Sequence, residues 1–382
     1  MSDAAAPPVP KAVEEEHRFP CPQCGADLRF SPADARLVCD HCGYSEPVTL
    51  PRGGAQPIQE LDFRRAIEAR LPEAEIETQR YSRCPNCGAE IAFDPEVHAT
   101  ECPFCATPVV ADTGTSRHIK PRGLAPFILS EREARAAMTD WLGSLWFAPS
   151  GLVDYARKGR AMTGVYVPYW TFDADTRSRY AGQRGTIYYE SEPVMVRDAQ
   201  GRTRREMRQV AKIRWQPVTG RVARFFDDVL VLAATSLPRS YTDGLMPWDL
   251  SRLVPYQPEF LAGFRAEGYT VDLEAGMTEA RAFMDRMIER DVRFDIGGDR
   301  QQVDRIETEI GAVTFKHILL PVWTAAYRYG GRSYRFVVNG QTGKVQGERP
   351  WSWIKIALAV IALAIVAAAA AYYAPLLDQQ GF

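Results

Sequence analysis

Eight cysteines in two matched clusters constrain this chain more than any other feature. Cys21-Pro-Gln-Cys24-Gly is followed, after a gap of 14 residues, by Cys39-Asp-His-Cys42. Cys84-Pro-Asn-Cys87-Gly and Cys102-Pro-Phe-Cys105 repeat that pattern at an offset of 63, and Phe30 and Pro32 recur as Phe93 and Pro95. Two C-x2-C knuckles bring four thiolates to one point, the donor set and geometry of a tetrahedral Zn2+ site. Gly25 and Gly88 follow their knuckles, where positive φ lets the backbone turn and aim amides at sulfur. A disulfide framework is the competing reading. It calls for an oxidising compartment and a small core-poor domain, and C-x2-C is poor disulfide spacing. We therefore expect two zinc ribbons, with Cys21, Cys24, Cys39 and Cys42 on one Zn2+ and Cys84, Cys87, Cys102 and Cys105 on the other. Four thiolates leave no open coordination position, so both ions are expected to be structural. His41 lies inside a knuckle and reads as a bystander.

Residues 1–16 combine Pro, Ala and an acidic run without apolar periodicity and read as a disordered tail. They lack the basic and apolar regions of a signal peptide, which places the N-terminal part in the cytosol. Between the ribbons, the breaker cluster 51–57 precedes an expected short helix over 59–71. Residues 17–110 hold nine basic against fourteen acidic side chains, so the ribbons lack the basic face that phosphate binding requires. A local patch of Arg64, Arg65, Arg80 and Arg83 remains as a basic feature, with a solvated face as its simpler reading.

Ser130-Glu-Arg-Glu133 is a capping box, opening a helix with Ala134, Met138, Trp141, Leu142 and Leu145 at helical spacing. Beyond it the period changes to two. Strands are predicted at 166–172, 185–189, 194–197, 210–215 and 229–232, with Asp198–Gly201 as a hairpin turn. A second amphipathic helix is predicted over about 277–290, then strands over 303–329 and 332–339, with turns at Gly330-Gly331 and Asn339-Gly340. Tyr166–Phe172 and Leu319–Ala325 echo one another, matching Pro168 with Pro321 and Trp170 with Trp323. An internal repeat and convergent strand-edge chemistry both explain the echo.

Ile356–Ala374 is an uninterrupted apolar run of 19 residues, long enough to cross a bilayer. Trp351 and Trp353 flank one end and Tyr372 and Tyr373 the other, as interfacial aromatics do. Lys344, Arg349 and Lys355 precede the run while only Asp378 follows it, so the positive-inside rule puts the N-terminal bulk in the cytoplasm. A buried core helix is the competing reading of this Ala-rich segment.

The common signatures of catalysis are missing. Gly340-Gln-Thr-Gly343-Lys344 lacks the leading glycine and the Ser/Thr of a P-loop, and neither H-E-x-x-H nor G-x-S-x-G occurs. The five histidines (17, 41, 98, 118 and 317) are scattered. Asp173/Asp175 and Asp227/Asp228 are read as solvated carboxylates at turns or strand ends. No catalytic residue is nominated, and the chain is expected not to be an enzyme.

The chain resembles a bacterial family of membrane-anchored double zinc-ribbon proteins, variously labelled TFIIB-type zinc-ribbon or primosomal protein N′-like. The resemblance rests on CPQCG and CPNCG, KPRGLAPF (120–127), WLGSLWFAPSGL (141–152) and YVPYW (166–170). It continues through LVPYQPEFLAGF (253–264), LLPVW (319–323) and VVNGQTGKVQGERP (337–350). It implies an accessory membrane protein working beside SPFH/flotillin-like and PspA membrane-stress proteins, and it carries over only the eight cysteines. The helicase label finds no phosphate-binding motif here.

The expected architecture is multidomain: tail (1–16), zinc ribbon 1 (17–50), linker with a short helix (51–80), zinc ribbon 2 (81–112), an α+β domain rich in antiparallel strands (113–350), a transmembrane helix (354–374) and a short tail (375–382). The expected function is a non-catalytic, tail-anchored adaptor of the cytoplasmic (inner) membrane. Its ribbons and α+β domain would bind partner proteins, and a homo-oligomer is compatible with this reading. A membrane-tethered nucleic-acid-binding module is the alternative.

Overall fold

The computed structural model describes residues 19–48, 58–68, 70–72, 75–92, 99–105, 107–110, 115–149, 162–197, 203–329 and 332–379. The first cysteine cluster sits on a small sheet of β1 (Arg29–Ser31), β2 (Arg36–Val38) and β3 (Ser45–Pro47). Then come β4 (Leu61–Asp62), α1 (Phe63–Ile67), and the strands around the second cluster: β5 (Ile76–Arg83), β6 (Glu90–Ala92), β7 (Ala99–Glu101) and β8 (Pro108–Val110). β9 (Thr115–Ile119), β10 (Gly123–Leu124) and α2 (Glu131–Gly143) lead into the long strands β11 (Thr163–Arg197) and β12 (Thr203–Leu232). α3 (Arg239–Leu245), β13 (Val254–Pro255), β14 (Arg265–Gly268) and α4 (Leu273–Ile296) follow, then β15 (Arg300–Tyr329), β16 (Arg332–Asn339), β17 (Val345–Gly347) and α5 (Trp353–Gln379).

β11, β12 and β15 carry the architecture. At about 3.3 Å per residue, the 35 residues of β11 run roughly 115 Å. β12 pairs antiparallel along one edge of β11, from Tyr169↔Leu232 to Arg197↔Thr203. β15 pairs along the other edge, from Thr163↔Thr324 to Gly185↔Arg300. The separate short strands expected within 166–197 and 210–232 are therefore two continuous ones. Residues that fall in the gaps between the expected strands lie inside the ladder: Gly182 and Pro193 in β11, Pro217 and Gly220 in β12. Gly220 is needed for close approach rather than a turn, because a Cβ there would collide with the Tyr180 hydroxyl and the ring atoms beside it.

Near its start β11 is buried on both faces. Val165, Val167 and Tyr169 point into a core shared with Ala89, Phe104 and Val109 around the second cysteine cluster. Tyr166 points the other way, into a core that holds Phe30 of the first cluster together with Met138 and Leu142 of α2. Farther along, Trp170, Phe172, Ala174 and Tyr180 meet Ala280, Met284, Ile288 and Val292 on α4. Asp272 caps α4 by accepting from the Ala275 amide at 2.7 Å, so the helix starts before the expected 277 and runs to Ile296. α2 has the expected capping box: the Ser130 hydroxyl accepts from the Glu133 amide, and the Glu133 carboxylate accepts from the Ser130 amide at 2.8 Å. The helix expected over 59–71 is only the five residues of α1, because Leu61 and Asp62 are drawn into β4, which pairs with β15.

The echoing segments are neighbours. Tyr166 pairs with Pro321 and Pro168 with Leu319, so the two stretches run antiparallel about a local twofold. The expected Asn339-Gly340 turn is present, with the buried Asn339 side chain accepting from the Gln341 and Thr342 amides. The tail 1–16, the breaker cluster 51–57 and the turns at 198–201 and 330–331 lie outside the described residues.

Beyond Arg300, β11 and β12 continue without β15 as a two-stranded arm, residues 186–197 against 203–214. Twelve residues extend it by roughly 40 Å. Directly opposed residues share a face. Ile187/Ile213, Tyr189/Ala211 and Pro193/Met207 thus line one face, with Trp215 at its base and Met195 near its tip. Tyr189, Met195 and Met207 on that face are each more than 60 % exposed. The opposite face is charged: Lys212 bonds Glu190 at 2.8 Å and also contacts Glu192, and Arg214 lies 5.0 Å over the Tyr188 ring.

Candidate metal centres

Each cysteine cluster closes on itself through backbone geometry the sequence dictates. The Gly25 amide donates to the Cys21 carbonyl at 2.8 Å and the Gly43 amide to Cys39 at 2.9 Å. Both glycines have φ near +75°, as the turn requires. The second cluster repeats the turn, with Gly88 donating to the Cys84 carbonyl at 2.9 Å. The four Sγ atoms of Cys21, Cys24, Cys39 and Cys42 lie within 4.8 Å of one another, as do those of Cys84, Cys87, Cys102 and Cys105. Cys21–Cys42, Cys24–Cys39 and Cys84–Cys105 are separated by 3.5 Å, and Cys87–Cys102 by 3.6 Å. A metal–sulfur bond of about 2.3 Å gives a tetrahedral edge of about 3.8 Å, so four thiolates here could hold one ion with small adjustments. All eight cysteines are free thiols, brought together in the two groups expected.

One thiol per cluster is predisposed to ionise. The Cys42 backbone N–H, with that of His41, lowers Cys39 to about 6. The thiol of Cys102 lowers Cys87 to about 5 against the opposing effect of burial. Their neighbours move the other way, with Cys42 pushed up to about 12 and Cys24, Cys84 and Cys102 raised, so each cluster gives up a first proton readily and a metal would have to expel the others.

The centres are built into the fold. The Phe30 amide donates to the Ala262 carbonyl at 2.9 Å, and its ring meets Phe260 edge-on at 5.1 Å. β6 of the second cluster pairs with β14 through Glu267↔Ile91 and Gly268↔Glu90, and β14 lies parallel to β11. Thr324 of β15 donates its hydroxyl to the Pro103 carbonyl inside the second knuckle at 2.7 Å. A cleft of about 450 Å³ opens beside the outer pair Cys87 and Cys105, lined by Thr235, Ser236, Arg335 and Glu348 among others.

Two further groupings escaped the sequence reading. Asp173 is 3 % exposed in mid-strand, not solvated at a turn, and opposes Asp227 and Asp228 where β11 and β12 shift register. Asp228 has φ +50°, the left-handed region. Lys316 fills the space between the acids, with Nζ 2.8 Å from Asp228, 3.1 Å from Glu60 and 3.4 Å from Asp173. Burial alone would lower Lys316, but Asp228 and the other carboxylates outweigh it and hold the ammonium above its ordinary range. One ammonium cannot balance three carboxylates, and the most buried of them shows it: burial pushes Asp173 up to about 6. The lysine already occupies the cation position, so this is an ion nest rather than a metal site. Its one sequence signal is a lysine inside the apolar run Phe315–Trp323.

The second grouping is aromatic. His317, expected as a packed or rim residue, is buried with Nδ1 donating to the Ile119 carbonyl at 2.7 Å. His118 meets Tyr269 edge-on at 4.4 Å, and Tyr269 also packs on Trp170. Burial lowers both His118 and His317 to about 4, so both are neutral near pH 7. Glu267 is buried against the second cluster and held well above the carboxylate range by burial, with the Ser236 hydroxyl donating to it at 2.9 Å.

At the C-terminus, Trp353–Ala371 is long and apolar enough to cross a membrane, and none of that stretch is buried against the rest of the chain. A core helix would be covered, so the competing reading of this segment fails on exposure. This helix is a candidate single membrane anchor.

No family model matches the chain, and no solved structure matches it. It is similar, at 27 % identity over 343 residues, to the uncharacterized protein YdjG of Bacillus subtilis (strain 168). The likeness covers 89 % of this chain and 92 % of that one, so the two are distant homologues over nearly their full lengths.

Proposed function

We propose that the protein is a non-catalytic, tail-anchored adaptor of the cytoplasmic membrane that binds partner proteins through its projecting arm. The amphipathicity of that arm carries the reading. A two-stranded hairpin alone is marginal in water, and this one presents Tyr189, Met195, Met207, Ile213 and Trp215 to solvent. Such a face is stabilised by covering it with another protein. The two cysteine clusters hold structural Zn2+ in this reading: each has four thiolates, and the ions brace the body rather than act on a substrate. The C-terminal helix spans the bilayer, and the basic residues before it keep the body cytoplasmic. The family resemblance points to partners of the SPFH/flotillin-like and PspA kinds.

The test is crosslinking, nuclease treatment and purification of the tagged full chain from membranes in mild detergent. Tyr189→Ser/Met207→Ser, a surface change that leaves the cores intact, is run in parallel with Cys84→Ser/Cys87→Ser. A protein partner recovered with the parent and lost with the arm variant supports the adaptor. A partner kept by the arm variant but lost with the cysteine variant moves docking to the second ribbon. Recovery only of nucleic-acid machinery, abolished by nuclease, refutes the reading in favour of nucleic-acid binding.

A further inference from the structure

The turn that follows α2 lies at the root of the C-terminal helix. The Ser352 amide donates to the Phe147 carbonyl at 2.7 Å, and Lys355 Nζ donates to the Ala148 carbonyl at 2.8 Å. Lys355 is the last charge before the apolar run that begins at Ile356. Its ammonium therefore marks the height at which the chain passes from water into hydrocarbon, and residues 147 and 148 are held at that height. Two segments far apart in sequence meet there, and each presents partly or largely exposed aromatic surface among the described residues. Trp146 is 86 % exposed and Phe147 38 %, beside Trp351 at 50 % and Trp353 at 78 %. Arg349 stacks 4.3 Å over the Trp351 ring, which keeps a cation at the same level.

We infer that Trp146 and Phe147 form a second membrane contact, seated in the headgroup layer of the bilayer crossed by the C-terminal helix. The inference rests on the reading of that helix as a span. Its argument is continuity: an exposed tryptophan, hydrogen-bonded through its neighbours to the first turn of an anchor, lies where tryptophan partitions best, with its ring in the interface and its N–H toward water or headgroups. Trp146 does not pack the helix above it, since α2 buries Ala134, Met138 and Leu142 instead. Two contacts fix the tilt of the body over the membrane, which one flexible anchor does not.

The test uses the full chain in phosphatidylcholine nanodiscs, with lipids carrying a nitroxide near the headgroup or near the acyl terminus. Subtracting the emission of Trp146→Phe from that of the parent isolates Trp146; Trp353→Phe isolates the anchor in the same way. The expected result is Trp146 emission quenched roughly twofold more by the shallow nitroxide than by the deep one, and shielded from aqueous iodide. Trp353 quenched by lipid while Trp146 responds only to iodide overturns the inference and leaves the anchor standing. If neither is quenched and the protein is released from membranes at alkaline pH, the anchor reading falls and the inference with it.

Discussion

Replacing Lys316 by methionine tests the buried ion nest directly. The side chain is 8 % exposed and Asp173 4 %, against 26 % for Asp228 and 37 % for Glu60, so the change removes the cation from one carboxylate that water cannot reach and from two that it partly solvates. At about 3 Å and an effective dielectric near 20, each contact is worth about 5 kcal/mol before desolvation, which returns most of it. Breaking one side of such a buried arrangement typically costs about 3–5 kcal/mol, and we expect that loss at neutral pH. The pH dependence carries the sign. Asp173 titrates near 6 in the fold against its usual 3.8, so the folded chain holds a proton there that the unfolded chain has released. Its ionisation costs stability above pH 6, and that cost fades as pH falls toward 4. Without Lys316 the carboxylates shift further up, so the deficit of the variant is largest near pH 8 and shrinks by about half or more near pH 5. The assay is urea unfolding of the full chain in detergent micelles by circular dichroism, with parent and variant compared at each pH. Lys316→Met/Asp173→Asn should recover much of the loss. A deficit below about 1 kcal/mol near pH 8, or one equal at both pH values, would refute the nest as an electrostatic unit.

Acid should weaken the fold through His317: its folded value near 4 lies below the ordinary 6.5, so stability is intact above 6.5 and falls as pH drops toward 4, by up to about 3 kcal/mol. His317→Asn, which keeps a donor for the Ile119 carbonyl, should flatten that slope in acid titrations of unfolding. Phe30→Ala should cost about 3–5 kcal/mol in the same urea assay, because the ring is 1 % exposed between the first cluster and Phe260. Glu267→Gln should cost less than about 1 kcal/mol, since burial favours the neutral carboxyl that glutamine mimics; a larger loss in urea would mean that the residue carries charge. If the second cluster holds a metal, a chelator should speed hydrogen exchange at Glu267 and Gly268, whose strand pairs with β6; unchanged protection by mass spectrometry would mean that the cluster does not brace β14.

What was legible in the sequence is what covalent spacing or length alone determines. The C-x2-C pairs had to converge, Ser130 and Glu133 had to cap α2, and the run from Ile356 had to be an exposed apolar helix or a buried one, a choice exposure has made. The length of β11 was not legible, because period-two alternation fades around Gly182 and Pro193, which fall between the expected strands, and Gly185 opens one of them. Their role is tertiary: a Cβ at Gly185 would sit 2.9–3.0 Å from Ile213 and Trp215 across the ladder. The run Ile318–Val322 lacks the alternation of a half-buried strand for a related reason, since both of its faces are covered. The Lys316 nest was invisible because its four members come from positions 60, 173, 228 and 316 and meet only through a change of register between β11 and β12.

The placement of the two clusters bears on what each part of the molecule is free to do. The first contributes Phe30 to the core on one face of the central strands, and the second contributes Ala89, Phe104 and Val109 to the core on the other. A metal closing either cluster would therefore fix one face of β11 near its start, while α4 covers the strand farther out. Among the described residues neither α4 nor β15 continues along the arm. Two cores meet between the clusters, while the arm's apolar face is exposed. Surface that must be presented to another protein belongs at the unbraced end, and residues that must hold a shape belong where two cores and two thiol clusters converge. This division is why the proposed docking surface is the arm and not the ribbons: the ribbons spend their apolar side chains inward, and the arm turns its own outward.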